Sequence, residues 1–132
     1  MNRTNWKSEY FVPEEWECKC GCKTLNVKNS FFKKIERARK IAETIDKNNC
    51  SFIITSGCRC EQHNKNIGGK EFSLHRSSET IETHGVDIFI PTDRKRAVIL
   101  LALVKTGFTH IGIGKDFVHV DDSLKKGVWL YG

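Results

Sequence analysis

Residues 108–121 read Phe-Thr-His-Ile-Gly-Ile-Gly-Lys-Asp-Phe-Val-His-Val-Asp, two apolar runs separated by a turn. The composition of Phe108–Gly114 and of Phe117–Val120 predicts two short strands. Gly114-Lys115 between them is a turn signal. We therefore expect two neighbouring strands at the end of the domain.

Two amphipathic helices are predicted before these strands. In residues 28–47 apolar side chains recur at steps of three and four residues, with Lys, Arg and Glu between them. Asn29 or Ser30 is the expected N-cap of this helix. Residues 93–106 predict a second helix, which Gly107 stops.

Two further short apolar runs, Ser51–Thr55 and Val86–Ile90, predict buried strands. Residues 57–72 contain Asn and Gly breakers and predict a long loop. The order of elements predicts a single α+β domain over residues 1–132, with an antiparallel sheet and two main helices. Residues 1–24 are expected to form an N-terminal arm that carries a cysteine cluster.

The chain has 132 residues and a formal net charge of +6. Its Lys and Arg residues are scattered, without the aromatic–basic alternation of single-strand binders, so we expect no nucleic-acid partner. No apolar run is long enough to span a membrane. The N-terminus lacks the apolar segment of a secretory signal, which predicts cytoplasmic synthesis. We expect a monomer.

Six cysteines are present, most of them in two tight clusters. The clusters are Cys18, Cys20 and Cys22, and Cys58 with Cys60, while Cys50 stands alone. Their Cys-x-Cys spacing differs from the Cys-x2-Cys of most structural zinc knuckles. A second zinc, free thiols and a disulfide between the clusters all stay open.

Charged and polar residues interrupt the apolar strands. Asp87 lies within one strand, and His119 and Asp121 share one face of another, because successive side chains point to opposite sides. A buried Asp or His needs a partner or a metal. With His75, which closes the long loop, Asp87 and His119 would supply two imidazoles and a carboxylate, a common catalytic zinc set. A hydrogen-bonded Asp–His pair is the alternative.

Several short motifs occur in an order that resembles a known family. They are Ser56-Gly57-Cys58-Arg59-Cys60, His63-Asn64, Gly68-Gly69, Ser73-Leu74-His75, Val86-Asp87-Ile88, Gly107-Phe108, Gly112-Ile113-Gly114 and Phe117-Val118-His119-Val120-Asp121. Over about residues 8–130 the chain is similar to the D-alanyl-D-alanine carboxypeptidase family of zinc peptidases. That family includes phage endolysins that cut the L-alanyl-D-glutamate bond, and it shares its fold with the hedgehog signalling domain.

The resemblance implies a Zn²⁺ cofactor with His75, Asp87 and His119 as ligands. It also implies that Arg59 faces the active site and binds a substrate carboxylate or carbonyl oxygen, a task that suits the planar guanidinium. A salt bridge that fixes the loop is the alternative function of Arg59.

The sequence departs from the family pattern between the first two ligands. His75 and Asp87 are twelve residues apart, because a polar segment, residues 76–83, looks like an insertion. This segment brings His84 close to Asp87 and makes it a competing ligand. We favour His75, which has the Ser-x-His context of the family.

The general base has two candidates, and we favour Asp116. In several endolysins of this kind an aspartate lies three residues before the last histidine ligand, and Asp116 occupies that position. Asp121 is the competitor, either as the base or as a group that orients an imidazole. Trp129 lies in an apolar patch that could wall a cleft or belong to the core.

The predicted function is zinc-dependent hydrolysis of a peptide bond in bacterial peptidoglycan stem peptides. The reaction would be of the D,D-carboxypeptidase or the L-Ala-D-Glu endopeptidase type, and it would take place at the cell wall after phage-type release. A non-catalytic, zinc-containing module that binds wall or protein, or that belongs to a phage particle, is the alternative.

Overall fold

A computed structural model describes residues 1–132. Its elements are α1 (Pro13–Trp16), α2 (Asn29–Ile45), β1 (Ile54–Ser56), α3 (Glu61–Asn66), β2 (Gly85–Phe89), α4 (Asp93–Thr106), β3 (His110–Ile113), β4 (Phe117–Asp121) and β5 (Gly127–Leu130). The short helices α1 and α3 and the strand β5 were not predicted. Helix α3 lies in the segment expected to be entirely loop.

The five strands form one sheet in the order β1-β2-β4-β3-β5. All neighbours pair antiparallel except β3 and β5, which are parallel. The α+β prediction is therefore confirmed, with one parallel pair added to the antiparallel sheet. The apolar patch around Trp129 forms β5, which pairs with the edge of β3 that β4 leaves free.

The helices form the core together with one face of the sheet. Helix α2 packs against α4. Alternate strand residues, such as Val86, Ile88, Val118 and Val120, join the same buried cluster. The intervening residues of β2 and β4 point to the opposite face, as the period-two geometry of a strand requires.

The bounds of α4 agree with the prediction, and its two ends explain them. The Thr92 hydroxyl accepts a hydrogen bond from the Lys95 backbone N–H at 3.1 Å. Gly107 ends the helix with φ +102°, a left-handed conformation that favours glycine. None of the helices has the length and apolar character needed to cross a bilayer.

Helix α2 begins differently from the prediction. Its N-cap is Lys28, and the expected caps Asn29 and Ser30 lie inside the first turn. No side chain caps this end. The Lys28 backbone N–H instead donates to the Thr83 carbonyl at 2.9 Å, which fixes the chain entering the helix.

The N-terminal residues pack on α2 through aromatic rings. Trp6, Phe11 and Trp16 surround Phe32, with ring centroids 4.8, 5.9 and 5.0 Å from it. Trp16 is fully buried. These contacts hold the first turn of α2 against the segment that carries Cys18.

Candidate active site

A row of facing residues crosses the open face of the sheet. Asp87 lies opposite His119, His119 opposite Gly112, and Gly112 opposite Trp129. Directly opposed residues of paired strands point to the same face. A Cβ on Gly112 would lie 2.6 Å from the indole of Trp129, so glycine allows this ring to cover the strand beside His119.

Three donor atoms meet at one end of this row. The distances are 3.3 Å from His75 Nε2 to His119 Nδ1, 3.3 Å from His75 Nε2 to Asp87 Oδ1, and 3.0 Å from His119 Nδ1 to Asp87 Oδ1. Ligand atoms about 2.0–2.1 Å from a tetrahedral ion are about 3.3–3.4 Å apart. The triangle therefore has the dimensions of one face of a zinc coordination sphere.

A short backbone ladder holds His75 at the site. The Arg59 N–H donates to the His75 carbonyl at 2.7 Å, and the Ser77 N–H donates to the Arg59 carbonyl at 2.7 Å. The Thr83 hydroxyl also donates to the His75 carbonyl, at 3.0 Å. The His75 side chain is almost fully buried, so the loop presents it in one fixed orientation.

The second nitrogen of each imidazole has its own acceptor. His75 Nδ1 donates to the Gly57 carbonyl at 2.9 Å, and His119 Nε2 donates to Asp121 Oδ2 at 2.7 Å. These bonds leave His75 Nε2 and His119 Nδ1 to face Asp87. A backbone carbonyl and a carboxylate are the usual acceptors behind metal-binding histidines. The residues present therefore fit a zinc ion.

The charges of this cluster are strongly coupled. Burial alone would raise the pKa of Asp87, but hydrogen bonds from His119 and His75 outweigh it and hold that pKa well below 3.8. Burial would lower the pKa of His119, but its bonds to Asp121 and Asp87 raise that pKa to about 9. The site thus favours positive charge between its carboxylates, supplied by a proton or by a cation.

Asp121 connects the triad to a further histidine. His110 Nδ1 donates to both Asp121 oxygens, at 2.9 and 3.0 Å, while His119 donates to Oδ2. The side chain of Asp121 is only 3% exposed. Sequence reasoning missed the role of His110, although its parity with Gly112 on β3 would place it on the same face.

The other base candidate lies elsewhere. Asp116 is exposed in the turn between β3 and β4 and is not among the residues that line the cleft. Asp116 is two residues before Val118 and therefore on the same side of the chain, and the Val118 side chain points into the core. Phe117 and His119, on the other side, line the cleft. The structure brings Asp121, and not Asp116, beside the triad.

Arg59 extends along the same wall as the triad. Its guanidinium approaches Asp87 Oδ2 at 3.7 Å, and its Nε donates to Ser56 Oγ at 3.2 Å. A second hydrogen bond runs from Arg59 Nη1 to the Asn64 side-chain oxygen at 3.4 Å. Arg59 therefore lines the cleft and also makes a salt bridge, so the geometry accommodates both of its predicted roles.

His84 does not join the triad. Its Nδ1 donates to Asp122, whose other oxygen contacts Lys28 Nζ at 3.3 Å. The segment 76–83 returns to the fold through Thr83, whose N–H donates to the Asn26 carbonyl at 2.7 Å. The insertion is thus closed at its base, which keeps His75 near Asp87 despite their separation in sequence.

An open cleft of about 800 Å³ surrounds the triad. Basic side chains line it, namely Arg59, Lys70 and Lys125, together with the aromatic rings of Phe72, Phe117, Trp129 and Tyr131. Its carboxylates are Asp87 and Asp121, and both are engaged with histidines. Such a lining suits an extended ligand that carries negative charge.

A comparison of the sequence with protein families gives a match. The sequence model of the family described as Peptidase M15 matches residues 9–121. The chain belongs to the peptidase M15 family. A search of curated protein sequences finds no match.

The matched range of this M15 peptidase contains the three residues of the donor triangle and Asp121. M15 peptidases are zinc-dependent metallopeptidases, in agreement with the donor triangle. The family resemblance inferred from the ordered motifs is therefore confirmed. The matched range ends before β5, so Trp129 and Tyr131 of the cleft wall lie outside it.

Proposed function

We propose that the chain hydrolyses a peptide bond in the stem peptides of bacterial peptidoglycan, with zinc held by His75, Asp87 and His119. The observation that carries the proposal is the donor triangle, with sides of 3.0–3.3 Å, at the base of a basic cleft. A zinc ion bound there would supply Lewis-acid polarisation of the scissile carbonyl and a nucleophilic water at neutral pH. The family assignment supports the reaction class.

The charge of the cleft supports this substrate class. Arg59, Lys70 and Lys125 line it, and the whole chain carries a net charge of +6. Stem peptides contain free carboxylates, which an arginine fork binds well. We propose that Arg59 holds an anionic or carbonyl oxygen of the substrate, while Trp129 packs against its apolar parts. The site of action would then be the cell wall.

Proton transfer in this proposal needs a group that takes a proton from the attacking water and delivers it to the leaving amine. We assign this role to Asp121, because it lines the cleft and adjoins His110, with Asp116 as the other candidate. Asp121 also fixes His119 in the orientation that aims Nδ1 at Asp87.

The test combines zinc content with product release. Purified protein is incubated with peptidoglycan and with synthetic stem peptides, and new amino groups and fragment masses are measured. Wild type should release amino groups, and the masses identify the bond. His119→Ala should lose both zinc and activity. Asp116→Asn should keep both, whereas Asp121→Asn, assayed at saturating zinc, should lose activity.

One observation favours the non-catalytic alternative. Both oxygens of Asp121 already accept hydrogen bonds from histidines, Oδ1 from His110 and Oδ2 from His110 and His119, so the proposed base is engaged before any water binds. A protein that binds zinc and stem peptides but releases no amino groups would support a binding module. Folded protein that binds no zinc at the triad would contradict both the peptidase and the zinc-containing binding module.

The Arg59 assignment has its own control. Arg59→Lys keeps the charge but loses the planar fork, so KM should rise with little change in kcat or zinc content. Lys126→Ala removes an exposed charge outside the active-site cleft and should leave KM unchanged. If Arg59 serves only to fix its loop, Arg59→Lys will lower stability and leave KM unaltered.

A further inference from the structure

A second cluster of ligand atoms lies outside the cleft. The sulfur atoms of Cys18, Cys20, Cys22 and Cys60 all lie within 4.8 Å of one another. Cys18 and Cys20 are 3.5 Å apart, and Cys20 and Cys60 are 3.7 Å apart, measured between Sγ atoms. Four thiolates at about 2.3 Å from a tetrahedral zinc would be about 3.8 Å apart. The sulfur separations are therefore close to those of a four-cysteine zinc site.

The backbone is shaped to bring these sulfurs together. Gly21, between two of the cysteines, has φ +96°, and Lys23 has φ +60°, so the segment turns sharply enough for alternate side chains to converge. The Cys18 N–H donates to the Thr24 carbonyl at 2.9 Å and closes this turn. A strand-like Cys-x-Cys-x-Cys segment would spread the same sulfurs along one side.

Two amide hydrogen bonds point at the sulfurs. The Cys60 N–H donates to Cys18 Sγ at 3.4 Å, and the His63 N–H donates to Cys60 Sγ at 3.3 Å. Such bonds from amides stabilise negative charge on sulfur, and thiolate is the form of cysteine that binds metal.

The remaining cysteines show that the convergence is selective. Cys50 and Cys58 are both buried, and their sulfurs hydrogen-bond to backbone carbonyls instead of to other thiols. All six cysteines are free thiols. Cys58 is only two residues from Cys60, yet it points into the core, so proximity in sequence does not explain which four sulfurs meet.

We propose that Cys18, Cys20, Cys22 and Cys60 bind a second zinc ion in a closed, four-thiolate structural site. This site would fasten the N-terminal segment to the residue that follows Arg59. The two segments already touch, since the Cys58 N–H donates to the Trp16 carbonyl at 2.8 Å.

The chain and its backbone hydrogen bonds connect the proposed site to residues of the active-site cleft. Cys60 follows Arg59, whose N–H and carbonyl bond to His75 and Ser77. Filling the cysteine site would therefore restrict the loop that presents both Arg59 and His75. Because such a site is absent from the unfolded chain, metal binding there contributes directly to folding stability.

The first test reads the ligand type directly. Cobalt(II) replaces zinc in the purified full chain, and the near-ultraviolet thiolate-to-cobalt charge-transfer absorption is recorded. Wild type and His75→Ala should both show this absorption, because His75 belongs to the other site. Folded wild-type protein saturated with cobalt but without the absorption would overturn the proposal, as would a disulfide between Cys20 and Cys60 in protein purified under reducing conditions.

The second test counts metal. Wild type should hold two zinc ions per chain, and Cys22→Ser and Cys60→Ser should each hold one. The matched control is Cys50→Ser, which changes a buried thiol outside the cluster and should still hold two. Zinc content that is the same in Cys60→Ser and Cys50→Ser would contradict the site. These results do not depend on peptidase activity, so they stand apart from the outcome of the peptidoglycan assay.

Discussion

Asp121→Asn probes the support behind the zinc ligands most directly. Asp121 accepts hydrogen bonds from His119 at 2.7 Å and from His110 at 2.9 Å, with its side chain only 3% exposed. Asparagine keeps the shape, but its amide group can accept through one oxygen only. Its NH₂ would then face an N–H of one of the two imidazoles, so one of these charge-assisted bonds must be lost.

The magnitude follows from that loss. One hydrogen bond to a charged group contributes about 1.5–3 kcal/mol. Residues that orient metal-binding histidines typically change metal affinity by about 10–100-fold, which corresponds to about 1.4–2.8 kcal/mol. We therefore expect Asp121→Asn to weaken zinc binding at the His75–Asp87–His119 site by about one to two orders of magnitude.

Competition with a chromophoric zinc chelator measures this affinity. Only the zinc that wild type binds and His75→Ala does not is counted, because it belongs to the triad site. Asp122→Asn is the matched control, because Asp122 is the next residue and pairs with His84 away from the triad. It should leave the affinity unchanged. If Asp121→Asn binds zinc as tightly as wild type, the orienting role of Asp121 is refuted.

Three further changes test the fold around the site. Gly112→Ala places a Cβ 2.6 Å from the Trp129 ring and should cost about 1–3 kcal/mol in urea unfolding and raise KM; an unchanged KM would show that the indole does not wall the cleft. Ile35→Ala removes a fully buried side chain and should cost about 2–5 kcal/mol, so a loss below 1 kcal/mol would contradict its core position. Arg94 donates to Asp46 at 2.8 Å and holds the pKa of that carboxyl below 3.8. Because the pKa of Asp46 is lower in the folded than in the unfolded chain, the ion pair stabilises the fold at a pH above the unfolded-state pKa, and this stability is lost as the carboxylate is protonated in acid. Arg94→Gln should therefore lower Tm at neutral pH but not at a pH well below 3.8. An equal difference at both pH values would exclude this ion pair as its source.

Much of the secondary structure could be predicted from local patterns. The bounds of α4 follow from the cap at Thr92 and the stop at Gly107, because both act within a few residues of the helix ends. Helix α2 follows from its apolar period, although its first residue depends on a bond to distant Thr83. Strand β5 was missed because its short apolar run suits a core patch as well as a strand, and only its pairing with β3 distinguishes the two.

The sequence by itself determined that Asp87 and His119 lie in apolar strands and need partners, since a strand alternates its faces whatever surrounds it. Only the tertiary structure decided that His75 and not His84 meets them, that Asp121 and not Asp116 lies beside them, and that four of six thiols converge. These choices depend on strand register and on how long loops close. Both are set by contacts between residues far apart in the chain, which local sequence patterns do not specify.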